Sequence, residues 1–141
     1  MLLDLALALT ILLLVFAICW PVMRGTSSAQ QAATALDIAT LLRVDRSSAT
    51  RDGLPTGTRI DLARRLVTGA TGRHVVIPGD LAIEVKTASH CMEAVQRFVI
   101  LFAPNGSSCG GLVVLKKGDQ SLAIRINWLS GMIDVIALPK S

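Results

Sequence analysis

Residues 97–138 read RFVILFAPNGSSCGGLVVLKKGDQSLAIRINWLSGMIDVIAL, and the period of their apolar residues decides the fold. In SLAIRINWL (121–129), Leu122, Ile124, Ile126 and Trp128 fall on one side of an extended chain, and Ala123, Arg125 and Asn127 on the other. That alternation describes a strand with one wet face. RFVILFA (97–103) is apolar on both sides, which predicts the central strand. GLVVLKK (111–117) and MIDVIAL (132–138) complete the run, with Pro104-Asn105-Gly106, Gly118-Asp119 and Ser130-Gly131 as punctuation.

The same pattern continues toward the N-terminus as LAIEVKT (81–87), RHVVI (73–77) and TRIDLA (58–63), separated by Pro78-Gly79-Asp80 and by Gly69-Ala70-Thr71-Gly72. Residues 55–141 are therefore read as one β-rich globular unit. Before Pro55 the period becomes helical. From Pro21 to about Arg51 the chain is rich in Ala, Gln and Leu, and its first strong breakers are Gly53 and Pro55. Residues 21–54 thus form an outer helical half and linker. Ala29, Ala32, Ala33 and Leu36 share one side of this helix, and Ala35, Ile38, Leu41 and Leu42 the other, so it can pack on its own domain and on another helix at once.

Residues 1–20 carry most of the excess that lifts the hydrophobic share to 52%. LALALTILLLVFAICW (5–20) has no charge, and with Met1-Leu2-Leu3 it reaches the roughly 20 residues a helix needs to cross a bilayer. An uncleaved anchor is favoured over a removable signal, because no basic residue precedes the run and no small-x-small site follows it directly. Pro21 is expected to bend the junction and Gly25 to loosen it, giving one long kinked helix. Arg24 is the one flanking positive charge, and by the positive-inside rule it favours a cytoplasmic outer part; a basic leader would reverse that preference. Asp4 stands alone as an acid in the span. Such a group either snorkels at the interface or pairs with a positive group from a neighbouring helix, for which a free N-terminal amine qualifies.

Composition excludes several functions. The net charge of +4 is scattered, the longest basic runs being Arg64-Arg65 and Lys116-Lys117. The aromatics Phe16, Trp20, Phe98, Phe102 and Trp128 build no stacking platform, so nucleic acid is not expected as a partner. Gly106-Ser107-Ser108-Cys109-Gly110 spells G-x-S-x-G, but a nucleophile elbow needs a helix after it and a histidine downstream. Here a strand follows, and His74 and His90 both precede it. A glycine-rich connection between strands explains the composition better. His90 and Cys91, adjacent on an extended strand, would point to opposite faces, with no further ligand spacing to complete a metal site. No metal, cofactor or catalytic residue is therefore expected. Cys19 lies in the apolar run. Cys91 and Cys109 are either a bridge, which an oxidising compartment would favour, or two unpaired thiols on neighbouring strands.

Taken together, these residues resemble the minor pseudopilin H family (general secretion pathway protein H) of type II secretion systems, within the wider type IV pilin-like group. The resemblance runs through the Leu-Leu-acid opening of MLLDLALALTILLLVF, Pro21 beyond the acid, and LLRVDRSSATRDGLPTGTRIDLARR (41–65). It is most specific at Phe102, Pro104, Gly106, Ser107, Ser108, Gly110 and Gly111, and at Trp128, Leu129 and Gly131, which match F-x-P-x-G-S-S-x-G-G and W-L-[ST]-G. It implies an α+β fold in which a long helix precedes two packed antiparallel sheets.

The function implied is that of a non-enzymatic subunit near the tip of a periplasmic pseudopilus that assists export of folded proteins across the outer membrane. The protein would sit in the bacterial inner membrane with residues 55–141 in the periplasm. Its partners would be other pseudopilins, membrane lipid and, where a leader precedes Met1, prepilin peptidase and N-terminal methylation. The family's acid is a glutamate thought to meet the amine of the adjacent subunit, and Asp4 is the matching position, one methylene shorter. The alternatives are a pilin-like subunit for DNA uptake or pilus assembly, and an anchored envelope binding module unrelated to filaments.

Overall fold

The computed structural model describes residues 1–23 and 27–140, with residues 21–23 and 27 described by backbone alone. Helix α1 spans Leu2–Met23 and helix α2 spans Ser27–Asp52. These two described helices occupy the stretch over which the sequence predicts one long kinked helix. The expected loosening at Gly25 and the charge of Arg24 lie outside the described residues.

α2 ends where its sequence stops it. Gly53 adopts φ +66° and its N–H donates to the Ala49 carbonyl oxygen at 3.1 Å, the left-handed cap that glycine takes without steric cost. The two helix faces separate as their residues dictate. Ala35, Ile38, Leu41 and Leu42 are buried in the core, whereas Ala29, Ala33 and Leu36 face outward, Leu36 at 53% exposure.

Among the described residues the β domain has nine strands: β1 (Thr56–Asp61), β2 (Leu66–Thr68), β3 (His74–Val76), β4 (Ala82–Lys86), β5 (Met92–Ala94), β6 (Arg97–Phe102), β7 (Gly111–Lys117), β8 (Gln120–Ile126) and β9 (Ile133–Leu138). They form a five-stranded sheet in the order β3-β2-β1-β6-β5 and a four-stranded sheet in the order β4-β7-β8-β9, every pairing antiparallel. One apolar core joins α2 to both sheets, with Ile38, Leu42, Ile60, Ile100, Leu115 and Ile124 among its members.

Four readings of the sequence change. β2 and β5, three residues each, are too short to show an alternation and were not among the expected strands. The central strand of the first sheet is β1, not β6. The outer face of β6 stays open: Leu101 is 43% exposed and leans with Val99 over Gly57, where an added Cβ would lie 2.7 Å from Val99 Cγ1. Trp128, expected on the buried side of β8, lies beyond the strand and is 66% exposed. The cause is local: Asn127 Oδ1 accepts the backbone N–H groups of Leu129 and Ser130 at 2.9 and 3.0 Å, which turns the chain before Trp128 can continue the ladder. Finally, Ser89–Cys91 form a single 3-10 turn, not the extended strand assumed for His90 and Cys91.

Cys91 and Cys109 are joined by a disulfide across a sequence separation of 18 residues. It ties the edge segment that carries β5 to the connection between the two sheets. Closing a loop of that size is worth about 3 kcal/mol through the entropy removed from the unfolded chain. Reduction is expected to lower the unfolding free energy by that amount, seen as a lower urea midpoint, without changing the far-ultraviolet circular dichroism at room temperature; an unchanged midpoint in dithiothreitol would contradict this.

Candidate assembly surfaces

Residues Leu2–Trp20 of α1 have a mean hydropathy of 2.8 and none of that surface is buried in the protein's own fold. Its polar groups are accounted for locally. Thr10 Oγ1 donates to the Leu7 carbonyl oxygen at 2.8 Å, and Asp4 Oδ2 lies 3.9 Å from the Met1 amine, with both side chains fully exposed. An ion pair this open contributes little in water. In hydrocarbon the same carboxylate is costly unless a positive group reaches it. By length and composition α1 is a candidate membrane-spanning helix, and Cys19 is free and exposed on it.

A second surface is the outward face of α2. Ala29, Ala33 and Leu36 recur at helical spacing and leave a shallow stripe that permits close approach of another helix.

The glycine- and serine-rich motif is an internal clasp. The connection from β6 to β7 passes from one sheet to the other, and its backbone is stitched to the β8–β9 turn. The Ser108 N–H donates to the Trp128 carbonyl oxygen at 2.9 Å, Ser108 Oγ donates to the Asn127 carbonyl oxygen at 3.2 Å, and the Gly110 N–H donates to Ser108 Oγ at 2.9 Å. Gly106, Gly110 and Gly131 take φ of +88°, +71° and +67°. A Cβ at Gly110 would meet Trp128 Cβ at 2.9 Å, and one at Gly111 would meet the Lys86 carbonyl oxygen at 2.8 Å. Ser107 bonds back to Asn105 Oδ1, closing the turn after Pro104, while Phe102 is wholly buried. Ser107 and Ser108 are thus spent on backbone geometry, and among the described residues no histidine hydrogen-bonds to either.

Sequence reasoning missed the residues by which α2 grips both sheets. Arg46 donates to the Ser130 carbonyl oxygen from Nε at 3.1 Å and Nη2 at 2.9 Å, and Arg43 Nη2 donates to the Ile133 carbonyl oxygen at 2.9 Å. Gln31, buried, donates from Nε2 to the carbonyl oxygens of Leu115 and Gln120 at 2.8 and 3.2 Å. Asp45 is fully buried and its carboxylate accepts from Thr58 Oγ1 at 2.5 Å and from the Ala70 N–H at 3.1 Å. The signal was an acid and a glutamine at core-facing helical positions, where an isolated polar side chain demands partners. Thr58→Val, which leaves the buried carboxylate short of a donor, is expected to cost about 1–3 kcal/mol. Urea denaturation measures it, and a loss under a few tenths would contradict the role given to this contact.

Electrostatics elsewhere are those of a solvated surface. A hydrogen bond from Lys117 lowers the Asp80 carboxyl below the usual range, and one from Lys116, aided by the charge of Lys86, lowers Glu84. His74 and His90 are both exposed. Among the described residues, no three His, Cys, Asp or Glu side chains are grouped to hold a metal ion.

Neither a protein-family model nor a curated protein matches the chain. Solved structures do. The minor pseudopilin EpsH from the type 2 secretion system of Vibrio cholerae superposes with a TM-score of 0.61 at 14% identity, over 77% of this chain and 97% of that one. The type IV minor pilin FimU of Pseudomonas aeruginosa superposes with TM-scores of 0.56 and 0.53 in two crystal forms, at 16% and 17% identity. The first covers 81% of this chain and 92% of that one, the second 77% and 98%. With its apolar first helix, its second helix packed on the core and its two antiparallel sheets, the chain has the pilin-like α+β fold of minor pseudopilins and minor pilins.

Proposed function

We propose that the protein is a membrane-anchored minor pseudopilin, a non-enzymatic assembly subunit near the tip of a type II secretion pseudopilus that assists export of folded proteins. The observation that carries this reading is α1, a helix whose apolar surface is wholly unburied by its own fold and which bears a single acid near its start. An anchor needs only the apolar surface. A carboxylate inside it becomes useful where a neighbouring helix brings the opposite charge. Asp4 therefore sets register between subunits, α1 and the bare stripe of α2 supply helix-to-helix contact, and the β domain selects the neighbours.

The likeness to EpsH favours secretion, and the likeness to FimU supports pilus assembly as the second reading. The β domain lies on the periplasmic side of the inner membrane in either case, where an oxidising environment would maintain the Cys91–Cys109 bridge. The discriminating experiment is affinity capture of the tagged full chain from its native membranes, with recovery of other pseudopilins and loss of extracellular enzyme on gene deletion. Normal secretion with loss of surface pili would replace the first reading by the second. Recovery of the chain alone, with both processes intact, would remove both.

A further inference from the structure

We infer that two copies of this chain associate edge to edge, β9 of one pairing antiparallel with β4 of the next, so that the four-stranded sheet continues across the contact. The argument starts from which backbone groups the sheet leaves open. In an antiparallel ladder, residues alternate between turning both their N–H and C=O toward the partner strand and turning both away.

The Asn127 N–H donates to the Met132 carbonyl oxygen at 2.9 Å, which makes 127/132 a bonded position. The next pair, Ile126 and Ile133, is then unbonded, and Arg43 indeed reaches the Ile133 carbonyl oxygen from outside the sheet. Val135 and Ala137 follow the same parity, so their N–H and C=O groups project from the free edge of β9. Carried inward, the alternation bonds Ile124 to Val113 and Leu122 to Leu115, which turns Val113 and Leu115 away from β4. The two-residue turn at Gly118-Asp119, closing on the Lys117/Gln120 pair, imposes the same parity. Their partners Val85 and Ile83 therefore project their N–H and C=O groups from the opposite edge of the sheet. Among the described residues, no hydrogen bond from elsewhere in the chain covers Ile83, Val85, Val135 or Ala137.

The two edges match. Val135 set opposite Val85, and Ala137 opposite Ile83, form bonded pairs; Ile83, Val85 and Val135 pack against the core, and Ala137, exposed, lies on the same face of its strand as Val135. The position between them places Ile136 opposite Glu84, and the next one places Asp134 opposite Lys86, both on the outer face. Opposite charges directly across a strand pair are favourable, and both side chains are well exposed, Asp134 beside Arg125 and Lys86 beside Glu84. β9 carries no lysine and no proline, the usual guards of an open edge.

Direction selects β4 as the occupant. β9 begins beside Arg43 and ends where Ala137 and Leu138 share a cleft with Ala29 and Ala32, so it runs antiparallel to α2 and back toward the anchor. Three antiparallel steps separate it from β4, which therefore runs the other way. Two copies standing upright in one bilayer hold their β9 strands in the same direction, which excludes an antiparallel β9–β9 pair and permits β9–β4. The contact is heterologous, joining one edge of the sheet to the opposite edge of the next copy, and so differs from a two-fold dimer, in which the same edge meets itself. This direction argument rests on the anchored reading proposed above.

Site-directed disulfide trapping tests it. Full chains carrying Cys19→Ala with either Asp134→Cys or Lys86→Cys are co-expressed, membranes are isolated, and copper phenanthroline is applied. Facing Cβ atoms at an unbonded pair lie about 4.5–5.5 Å apart, close to disulfide range. The mixed dimer is expected at tenfold or more above either chain expressed alone. Adding Ala137→Pro, which removes an edge N–H unused by the chain's own ladder, is expected to abolish trapping with the thermal midpoint unchanged. Absence of the mixed dimer, equal self-trapping by Asp134→Cys alone, or full trapping despite Ala137→Pro would each overturn the inference. Chains that fail to float with membranes would overturn the anchored reading and this one with it; chains that float without trapping would overturn this one alone.

Discussion

Gly131→Ala is expected to destabilise the folded domain by about 4 kcal/mol, the left-handed backbone contributing roughly 1–2 and overpacking the rest. At φ +67° a Cβ would fall 1.9 Å from the Gly106 carbonyl oxygen and 2.8 Å from Arg46 Nε. Neither neighbour can yield. Gly106 is itself held at φ +88° beside Arg46, and Arg46 is fixed by its two hydrogen bonds to the Ser130 carbonyl oxygen. Against a total stability of about 5–15 kcal/mol, that loss removes much of the margin. Gly72→Ala is the control: its φ is +85°, yet nothing lies within 4 Å, so only the backbone cost remains, about 1–2 kcal/mol. Urea denaturation of the full chain in detergent compares the two. Equal losses would mean that the clasp between the sheets bears no particular stress.

Asp4→Ala is expected to leave the chain folded and in the membrane fraction while reducing its recovery with neighbouring subunits by about tenfold or more, equivalent to about 1.4 kcal/mol of association energy. The fold is indifferent to Asp4, since its fully exposed side chain pairs with the Met1 amine at 3.9 Å and no part of α1 through Trp20 is buried. Removing the carboxylate even eases insertion into hydrocarbon. A stabilising change for the isolated anchor that damages assembly would separate a register role from an anchoring one. Asp4→Glu, which keeps the charge on a longer arm, is expected to restore recovery. Undiminished recovery of Asp4→Ala with its neighbours, together with normal secretion, would remove the register role.

Much of the fold was legible because burial imposes a period. α2 showed two apolar faces, and the face holding Ala35, Ile38, Leu41 and Leu42 is the buried one, while Ala29, Ala33 and Leu36 remain outside. Seven strands announced themselves by alternation or by apolar runs bounded by glycine and proline. One misreading falls where a local hydrogen bond overrides the pattern. Trp128 continued the alternation of β8 in the sequence, yet Asn127 caps the chain into a turn one residue earlier, and no periodicity encodes a single side-chain acceptor. β2 and β5 are strands only because β1 and β6 lie beside them.

The sequence by itself determined the apolar helix with its lone acid, the two-faced second helix, and the alternating segments of the β domain, because each follows from side chains within a few residues of one another. Only the tertiary structure decided what those segments grip. Arg46 reaches Ser130 and Gln31 reaches Leu115 across 84 residues of sequence, and Asp45 reaches Ala70 across 25. The glycines at 106, 110 and 131 are required by carbonyls and side chains that arrive from other elements. A helical or extended period repeats along the chain and can be read from it, whereas a hydrogen bond between distant elements exists only after the chain has folded them together.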